Sequence, residues 1–280
     1  MCEFCHQHGE GRKWYLQASN YSQDLLSDVR RRRGLKKFLS QPMEAGSSNE
    51  DQFQKLDRLP GFVRGMVSAG VTRHMKRWHF GQVLPLEDVE TVFGFVNTIT
   101  RIPCICRKVR LGKEARYCYG ITVGVGDALG DIMKEIGSSF DTSGPDGGEQ
   151  LDAVQALQAF SDHEKEGLCH SVWTFGTPFI GGICNCDRSD CFAMQSTVIH
   201  GIKSMFRGET VAEASPDLCT GCRSCMRLCQ FGALGFSAAT KKVFIDQSAC
   251  YGCGVCRAAC QKQAISLKPR AEVPAAANLW

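Results

Sequence analysis

The chain has 280 residues, 43% of them hydrophobic and 22% charged, with a net charge of +4, which is the composition of an ordinary globular protein of one large or two modest domains. No apolar run approaches the ~18 residues of a membrane span, and the N-terminus has neither the basic region nor the apolar core of a signal peptide. The 17 cysteines, an odd number, argue against a complete disulfide framework and favour a reducing, cytoplasmic compartment.

The N-terminus carries four side chains of metal-ligating type, Cys2, Cys5, His6 and His8. A C-x-x-C pair is half of a zinc or iron–sulfur site, but no second pair lies nearby. Chain termini are also often disordered. Two interpretations therefore stand side by side: Cys2 and Cys5 bind a metal, or the tail is mobile or becomes ordered at an interface.

Residues 1–84 are predicted to form a helical arm. A helix is expected over Tyr21–Ser40, with Ser22 as its N-cap, followed by a second helical pattern over Asp51–Leu59 and an apolar segment over Phe62–Met75. The apolar stripes of these segments are incomplete. We therefore expect the arm to contact a partner as much as its own chain.

Two groups of basic residues stand out in this arm. They are Arg30, Arg31, Arg32, Arg33, Lys36 and Lys37, and then Arg73, Lys76 and Arg77. Such a block is usually a solvated face, but it can also dock an acidic protein surface or a nucleic-acid backbone. We expect Arg30–Arg33 to dock a protein partner.

Residues 85–208 are predicted to form a cysteine-rich middle domain. A helix starting at Pro85 is favoured by Glu87 and Asp88 in its first turn. The remaining predicted elements are a helix over Gln150–Glu166 with Leu151, Val154, Leu157 and Phe160 buried and Gly167 at its end, a strand over Leu168–Phe175, and a helix over Phe192–Phe206.

Six cysteines of this domain lie in two predicted loops. Cys104 and Cys106 stand in a P-C-x-C-R loop with Cys118 further on, and Cys184 and Cys186 stand in an I-C-N-C loop followed by Cys191. This order, together with Gly167-Leu168-x-His170, resembles the region that precedes the ferredoxin module in a set of iron–sulfur proteins from anaerobic microbes. Two departures are Asp187, where the family often has a cysteine, and Cys169, where it has an aliphatic residue.

These six cysteines predict a third cluster that joins the two loops, and the sequence leaves open whether they hold one cluster or two. A zinc site or free structural thiols are the alternatives. Cys169 is interpreted as a small buried hydrophobe. His170 is interpreted as a structural histidine rather than a ligand.

The strongest signal is a pair of cysteine runs near the C-terminus. Each run has the spacing C-x2-C-x2-C-x3-C, which is typical of cubane iron–sulfur clusters and not of zinc sites. The runs are Cys219, Cys222, Cys225 and Cys229, and then Cys250, Cys253, Cys256 and Cys260.

The stretch from Val211 to Leu267 resembles the bacterial two-cluster ferredoxins. The resemblance implies one [4Fe–4S] cluster on Cys219, Cys222, Cys225 and Cys260, and a second on Cys250, Cys253, Cys256 and Cys229. Short strands are expected before each run, over Glu209–Ala214 and Lys242–Asp246, and after each run, over Ala233–Phe236 and Ile265–Leu267. Gln230 and Gln261 replace the family's usual prolines, which removes a rigid turn but no ligand. This module, residues 209–280, completes the predicted domains.

Sequence motifs for other chemistry are missing. The G-x-G-x-x-x-G stretch from Gly124 to Gly130 is not the dinucleotide fingerprint and lacks a clear βαβ context. There is no Walker loop, G-x-S-x-G, H-E-x-x-H or radical-SAM C-x3-C-x2-C motif. No set of residues for handling a substrate is found.

The sequence thus predicts an α+β protein that transfers electrons as a subunit of a larger oxidoreductase complex, a hetero-oligomer. Its partners would be a catalytic subunit dependent on a flavin, molybdenum or tungsten, or a thiol, and a redox donor or acceptor protein. One alternative is an iron–sulfur enzyme whose middle cluster has an open iron. Another is a redox-sensing, nucleic-acid-binding regulator that uses Arg30–Arg33, although that block lacks a recognisable recognition helix.

Overall fold

The computed structural model describes residues 13–40, 53–112, 115–124, 131–132 and 148–279. These residues form a mixture of helices and strands, which confirms the α+β class. The α-helices are α1 (Gln23–Ser27), α2 (Val29–Ser40), α3 (Gly61–Trp78), α4 (Leu86–Phe93), α5 (Ile105–Leu111), α6 (Ala153–Lys165), α7 (Phe192–Val198), α8 (Ser224–Leu228) and α9 (Val255–Ala258). Short 3-10 turns cover Trp14–Leu16, Ala18–Tyr21 and Arg270–Glu272.

The centre of the fold is a seven-stranded sheet in the order β4-β2-β3-β6-β5-β1-β7. Neighbouring strands are antiparallel except for β1 and β7, which are parallel. The strands are β1 (Gly81–Val83), β2 (Thr98–Ile102), β3 (Cys118–Thr122), β4 (Glu149–Leu151), β5 (Cys169–Thr174), β6 (Ile180–Cys186) and β7 (Met205–Phe206).

The two faces of this sheet bury different side chains. Alternate residues of a strand point to opposite faces, so Tyr119, Val172 and Ile183 share one face, which we call the aromatic face. Their core also contains Phe160 of α6 and Trp14. The opposite face, which we call the cysteine face, carries Cys118, Cys169, Ser171, Trp173, Cys184 and Cys186.

Part of the predicted N-terminal arm belongs to this sheet. Strand β1 precedes the expected boundary at residues 84/85 and pairs with β5. Trp14 is buried among the core residues of the aromatic face, and Leu35 of α2 among those of the cysteine face. Gly34 lies under the Trp78 ring so closely that a Cβ atom would come within 2.2 Å of it. Gly34, which interrupts the apolar stripe of α2, thus allows the Trp78 ring to pack directly against the helix backbone.

Several predicted elements differ in detail. The helix expected over Tyr21–Ser40 is broken at Asp28 into α1 and α2, although Ser22 does cap α1 by accepting a hydrogen bond from the Leu25 amide at 3.4 Å. The I-C-N-C segment, expected to be a loop, is the end of strand β6. The helix expected to run to Phe206 ends at Val198.

The C-terminal module consists of two strand pairs and two short helices. Its strands are β8 (Thr210–Ala214), β9 (Leu234–Ser237), β10 (Lys242–Ile245) and β11 (Ile265–Pro269), all within a few residues of the predicted positions. Strand β8 pairs with β11, and β9 pairs with β10. The first half of the module contains β8 and β9, which flank the first cysteine run, and the second half contains β10 and β11, which flank the second run. Each strand therefore pairs with a strand of the other half.

Within the described ranges, no helix combines the length and apolar character needed to cross a bilayer.

Candidate iron–sulfur sites

The C-terminal module is an internal repeat of strand, cysteine loop, short helix and strand. At equivalent loop positions, Gly221 and Gly252 adopt φ values of +73° and +75°. A Cβ atom there would come within 2.2 Å of the Lys241 carbonyl oxygen and 2.0 Å of the Thr210 carbonyl oxygen, respectively. Only glycine fits such a close approach in this conformation. The first loop therefore lies against the turn that precedes β10, and the second lies against strand β8.

The second cysteine run is joined by a cysteine of the first. Cys229, Cys250, Cys253 and Cys256 all line one small cavity. Burial raises the pKa of Cys250 to about 11, and the neighbouring thiolates of Cys253 and Cys229 act in the same direction. Four soft sulfur ligands thus surround one space, which is the donor set that a cubane cluster needs.

The first run shows the reciprocal arrangement. Burial raises the pKa of Cys225, and so do its neighbours Cys260, Cys222 and Cys219. Cys222 is exposed, whereas Cys225 is buried. Cys260 of the second run is therefore a neighbour of the first.

Backbone amides point at the sulfur of each fourth cysteine. The Ala233 amide donates a hydrogen bond to Cys229 Sγ at 3.3 Å, and the Ala264 amide donates one to Cys260 Sγ, also at 3.3 Å. Both contacts span four residues, as the internal repeat requires. Such bonds stabilise negative charge on sulfur and so favour the thiolate that binds iron.

The six cysteines of the middle domain surround a second cavity, of about 100 Å³, on the cysteine face. It is lined by Cys104, Cys106, Cys118, Cys184, Cys186 and Cys191. Its wall includes Gly120 and Gly182, which lie directly opposite each other on β3 and β6. Because these two residues have no side chains, they leave space above the sheet beside the thiols.

The sulfur contacts in this cavity form two groups of three. Cys118 contacts Cys184 at 3.3 Å and also interacts with Cys104. On the other side, Cys191 interacts with both Cys106 and Cys186. Each group takes one member from each C-x-C pair. We call them the Cys118 group and the Cys191 group.

Arg107 is the buried cation beside the Cys118 group. Its guanidinium donates to Cys104 Sγ at 3.7 Å and forms an ion pair with Asp187. It also lies over the Tyr117 ring, 4.3 Å from the centroid. A hydrogen bond from Cys118 lowers the pKa of Cys104 to about 6, and Arg107 acts in the same direction. Cys104 is thus prepared to be a thiolate.

Cys169, interpreted from sequence as a buried hydrophobe, is buried but lies among other thiols. It is opposite Cys186 in the β5–β6 pair, and its thiol interacts with that of Cys253. Strand pairing of Cys169 with the C-N-C segment is the signal that would have found it, but the segment was expected to be a loop. His170 is on the other face, where its Nδ1 is 2.6 Å from Asn185 Oδ1. Burial lowers the pKa of His170 to about 4, so it is a neutral histidine.

Gln230 joins the module to the sheet domain. Its side-chain amide donates to the Gly167 carbonyl at 2.8 Å, and its carbonyl accepts from the Arg188 amide at 2.9 Å. Beside it, the Phe231 and Tyr251 rings are stacked with centroids 4.1 Å apart. Gln230, which stands where the family usually has proline, thus makes two hydrogen bonds between the two regions. The sequence did not reveal this role.

The cysteines in the described ranges form no disulfides. Among the described residues, no three His, Cys, Asp or Glu side chains converge on one ion position. Thiolates are the ligands that hold cubane clusters, so the donor type of the module cysteines suits such a group.

Other predicted features contribute less or cannot be placed. Cys2, Cys5, His6 and His8 lie outside the described residues, as does most of the Gly124–Gly130 stretch. In the basic block, Arg31 donates to the carbonyls of Phe175 and Gly176 at 3.1 Å. Arg31 is therefore held by its own chain, while Arg30 and Arg33 are exposed.

Comparison with known proteins identifies the module. Residues 218–265 match the family described as "4Fe-4S dicluster domain". A segment of 60 residues is 32% identical to the "Archaeal-type glutamate synthase [NADPH]" of Thermotoga maritima and to that of Thermotoga sp. strain RQ2. The match covers 21% of this chain and 12% of each synthase, so it is a similarity between segments. The C-terminal part of this chain is a ferredoxin-like 4Fe–4S dicluster module.

Proposed function

We propose that this protein is an iron–sulfur electron-transfer subunit of a larger oxidoreductase complex in the cytoplasm. One [4Fe–4S] cluster would be held by Cys219, Cys222, Cys225 and Cys260, and a second by Cys250, Cys253, Cys256 and Cys229. The observation that carries the proposal is that the four thiols of the second set line a single cavity within a dicluster module.

A bound [4Fe–4S] cluster takes up and releases one electron at a time. The chain's own residues hold the thiolates, donate hydrogen bonds to sulfur and exclude water. The amides of Ala233 and Ala264 compensate negative charge at Cys229 and Cys260, which favours the reduced state and raises the reduction potential.

The exposure of the two sets supports a direction of approach for a redox partner. Cys222 of the first set is exposed. Two apolar side chains of the module are also exposed, Leu218 just before the first cysteine run and Phe244 on β10. The second set is turned towards the sheet domain, since Cys253 interacts with Cys169. A donor or acceptor protein would therefore approach the first set, with the second set on the inner side.

We further propose a third cluster in the middle domain, drawn from Cys104, Cys106, Cys118, Cys184, Cys186 and Cys191. The shared cavity and the contacts of both C-x-C pairs across it support this site. Arg107 would offset negative charge at the edge of this site, since its guanidinium donates a hydrogen bond to Cys104 Sγ.

The exposure of helix α3 supports the proposal that this chain binds a partner subunit. No residue of α3 is buried, and Phe62 and Met66 are 76% and 66% exposed. An apolar helix face of this kind suits a catalytic subunit as partner, and the exposed Arg30 and Arg33 would contact acidic side chains of that subunit. The similar segment in a glutamate synthase named for NADPH supports a redox setting.

Anaerobic purification tests the proposal. The full chain should carry about eight iron and eight sulfide ions in the module and about four of each in the middle domain, and a catalytic oxidoreductase subunit should copurify. Fewer than about four iron ions after reconstitution, with zinc instead, would refute the cluster assignment. The double variant R30E/R33E should weaken the complex, more so at low salt. Tight, sequence-selective DNA binding would instead favour the regulator.

A second candidate, an iron–sulfur enzyme with an open iron, is favoured by the Cys118 group. It supplies three thiols at the cavity, beside the buried cation Arg107. A small anionic molecule that changes the electron paramagnetic resonance (EPR) spectrum of the middle cluster would support an enzyme. If no ligand perturbs that spectrum, the electron-transfer role is preferred.

A further inference from the structure

The buried thiol of Cys169 occupies the junction between the sheet domain and the module. Its relative exposure is 0%. In the β5–β6 pair Cys169 lies directly opposite Cys186, and residues in this position place their side chains next to each other on one face. On its other side, the Cys169 thiol interacts with Cys253 of the module.

The sheet register assigns Cys169 to the Cys191 group. Along β6, Cys184 and Cys186 are two residues apart, so they share a face and are separated by about 6.6 Å. The row through Cys184 contains Cys118 on β3 and Ser171 on β5. The row through Cys186 contains Cys169 on β5. The row through Cys184 thus belongs to the Cys118 group, and the row through Cys186 belongs to the Cys191 group.

The neighbours of Cys169 agree with this register. Its electrostatic neighbours are Cys253, Cys186 and Cys191, and Cys191 in turn interacts with Cys106. The Cys191 group therefore has four members when Cys169 is included, whereas the Cys118 group has three. A cubane has four irons, each of which takes one thiolate.

Other donors near the Cys191 group are already engaged. Ser171 Oγ accepts a hydrogen bond from the Trp173 indole at 2.9 Å and is 3.6 Å from Cys186 Sγ. Asp187 is paired with Arg107. Cys169 is the remaining thiol among these neighbours; its own contacts are with the Cys253 thiol and the His170 carbonyl.

We propose that Cys169 is the fourth thiolate of a [4Fe–4S] site formed with Cys106, Cys186 and Cys191, directly beside the Cys253 thiolate of the module. This inference rests on the proposed function, and it gives the middle-domain cluster a defined ligand set. It also makes the Cys118 group a separate three-thiol site. The two regions then meet at a contact between two cysteine ligands, one from each site.

The test uses the full chain, reconstituted anaerobically with iron and sulfide, and the variant Cys169→Ala. The variant should lose about one iron ion per chain and, when oxidised, show the EPR signal of a three-iron cluster, or it should lose about four iron ions together with the whole middle-domain signal. The module signals should remain. Ser171→Ala is the matched control, because it alters a buried neighbour of Cys186 on the same face without removing a thiol; its iron content should equal that of the wild type.

Three outcomes are distinct. If Cys169→Ala folds and keeps the wild-type iron content and spectrum, Cys169 is a buried hydrophobe and the inference is wrong. If Cys106→Ala and Cys191→Ala also leave the iron content unchanged, the middle-domain cluster itself is absent and that part of the proposed function fails. If Cys169→Ala does not fold, Cys169→Ser decides: a shifted reduction potential and altered EPR spectrum support ligation, and unchanged values refute it.

Discussion

The module and the sheet domain hold cysteines in two different ways. In the module the thiols are part of the core itself: Cys225, Cys250 and Cys256 are among its buried residues, beside small side chains such as Ala233. In the sheet domain an aromatic core exists on one face, and the thiols lie on the other face, fixed by strand pairing.

This difference determines what depends on the metal. A module whose core includes its predicted ligands is expected to gain part of its folding free energy from a bound cluster, as small metal domains do. The seven-stranded sheet buries large apolar side chains on its own, including Phe160 and Ile183. We therefore expect the sheet to fold, and to position its cysteines, without a metal.

Iron removal should have the largest effect and should separate the two regions. After chelation under reducing conditions, we expect β8–β11 to lose protection from hydrogen exchange, since structural metal sites contribute on the order of 10 kcal/mol. Amides of β5 and β6 should remain protected. If both regions lose protection together, the sheet also depends on the clusters and the comparison fails.

Cysteine replacement should remove one module site at a time, and not the nearer one in sequence. In Cys229→Ser the site of Cys250, Cys253 and Cys256 should be disturbed, because Cys229 lines their cavity. EPR of the reduced protein checks this, with Cys222→Ser as the reference for losing the first site. A spectrum of Cys229→Ser that matches Cys222→Ser would contradict crossed ligation.

Gln230→Ala should loosen the link between the regions without touching either core. The loss of two hydrogen bonds, to Gly167 and from Arg188, should lower the free energy of opening the module from the sheet by about 1–2 kcal/mol. Hydrogen exchange at the module surface measures this opening. Gln261→Ala is the matched control, since Gln261 stands at the equivalent position of the repeat and is exposed. Equal effects of the two variants would show that Gln230 is not a specific link.

The smallest effect is expected at the ion pair between α4 and α9. Arg257 contacts both carboxylate oxygens of Glu87 at 2.6 and 2.8 Å, and its hydrogen bonds lower the pKa of Glu87. Because the pair is about half exposed, solvent screening limits it to below about 1 kcal/mol.

A lowered carboxylate pKa fixes the sign of the pH dependence. The contribution of Glu87 is fully present above the ordinary glutamate pKa of about 4.3 and is lost as pH falls through the lower folded value. The difference in stability between wild type and Glu87→Gln should thus be constant from pH 8 to about 5 and shrink below about 4.3. The exposed Glu90 provides the control, since Glu90→Gln should show no such difference.

The same contrast explains what the sequence could predict. The module strands were expected beside two cysteine runs of fixed spacing, and the crossed cysteine neighbours were expected from the resemblance to the bacterial two-cluster ferredoxins. In the sheet domain, the six cavity cysteines were predicted to meet, but their division into two groups depends on the register between β3, β6 and β5. That register joins residues far apart in sequence, so no local pattern reveals it.

The predicted start of α6 and the predicted end of α7 were wrong, and the reasons are local. Val154 was expected to be buried, but it is 79% exposed, because Glu149–Leu151 forms an edge strand and the helix begins only after Asp152. Asp152 and Gln155 form a capping box that sets this start. After Val198, the Thr197 hydroxyl accepts from the amides of Ser204 and Met205 and turns the chain back towards β7.

The exchange of strands between the two halves of the module has a consequence for its connectivity. Since β8 pairs with β11 and β9 with β10, the turn at residues 238–241 joins two fragments that are already interwoven. Cutting this turn should leave the fragments associated, and the separately produced pieces should complement each other when mixed with iron and sulfide. Neither piece has a strand partner within itself, so the repeat behaves as a covalently linked dimer of half-modules.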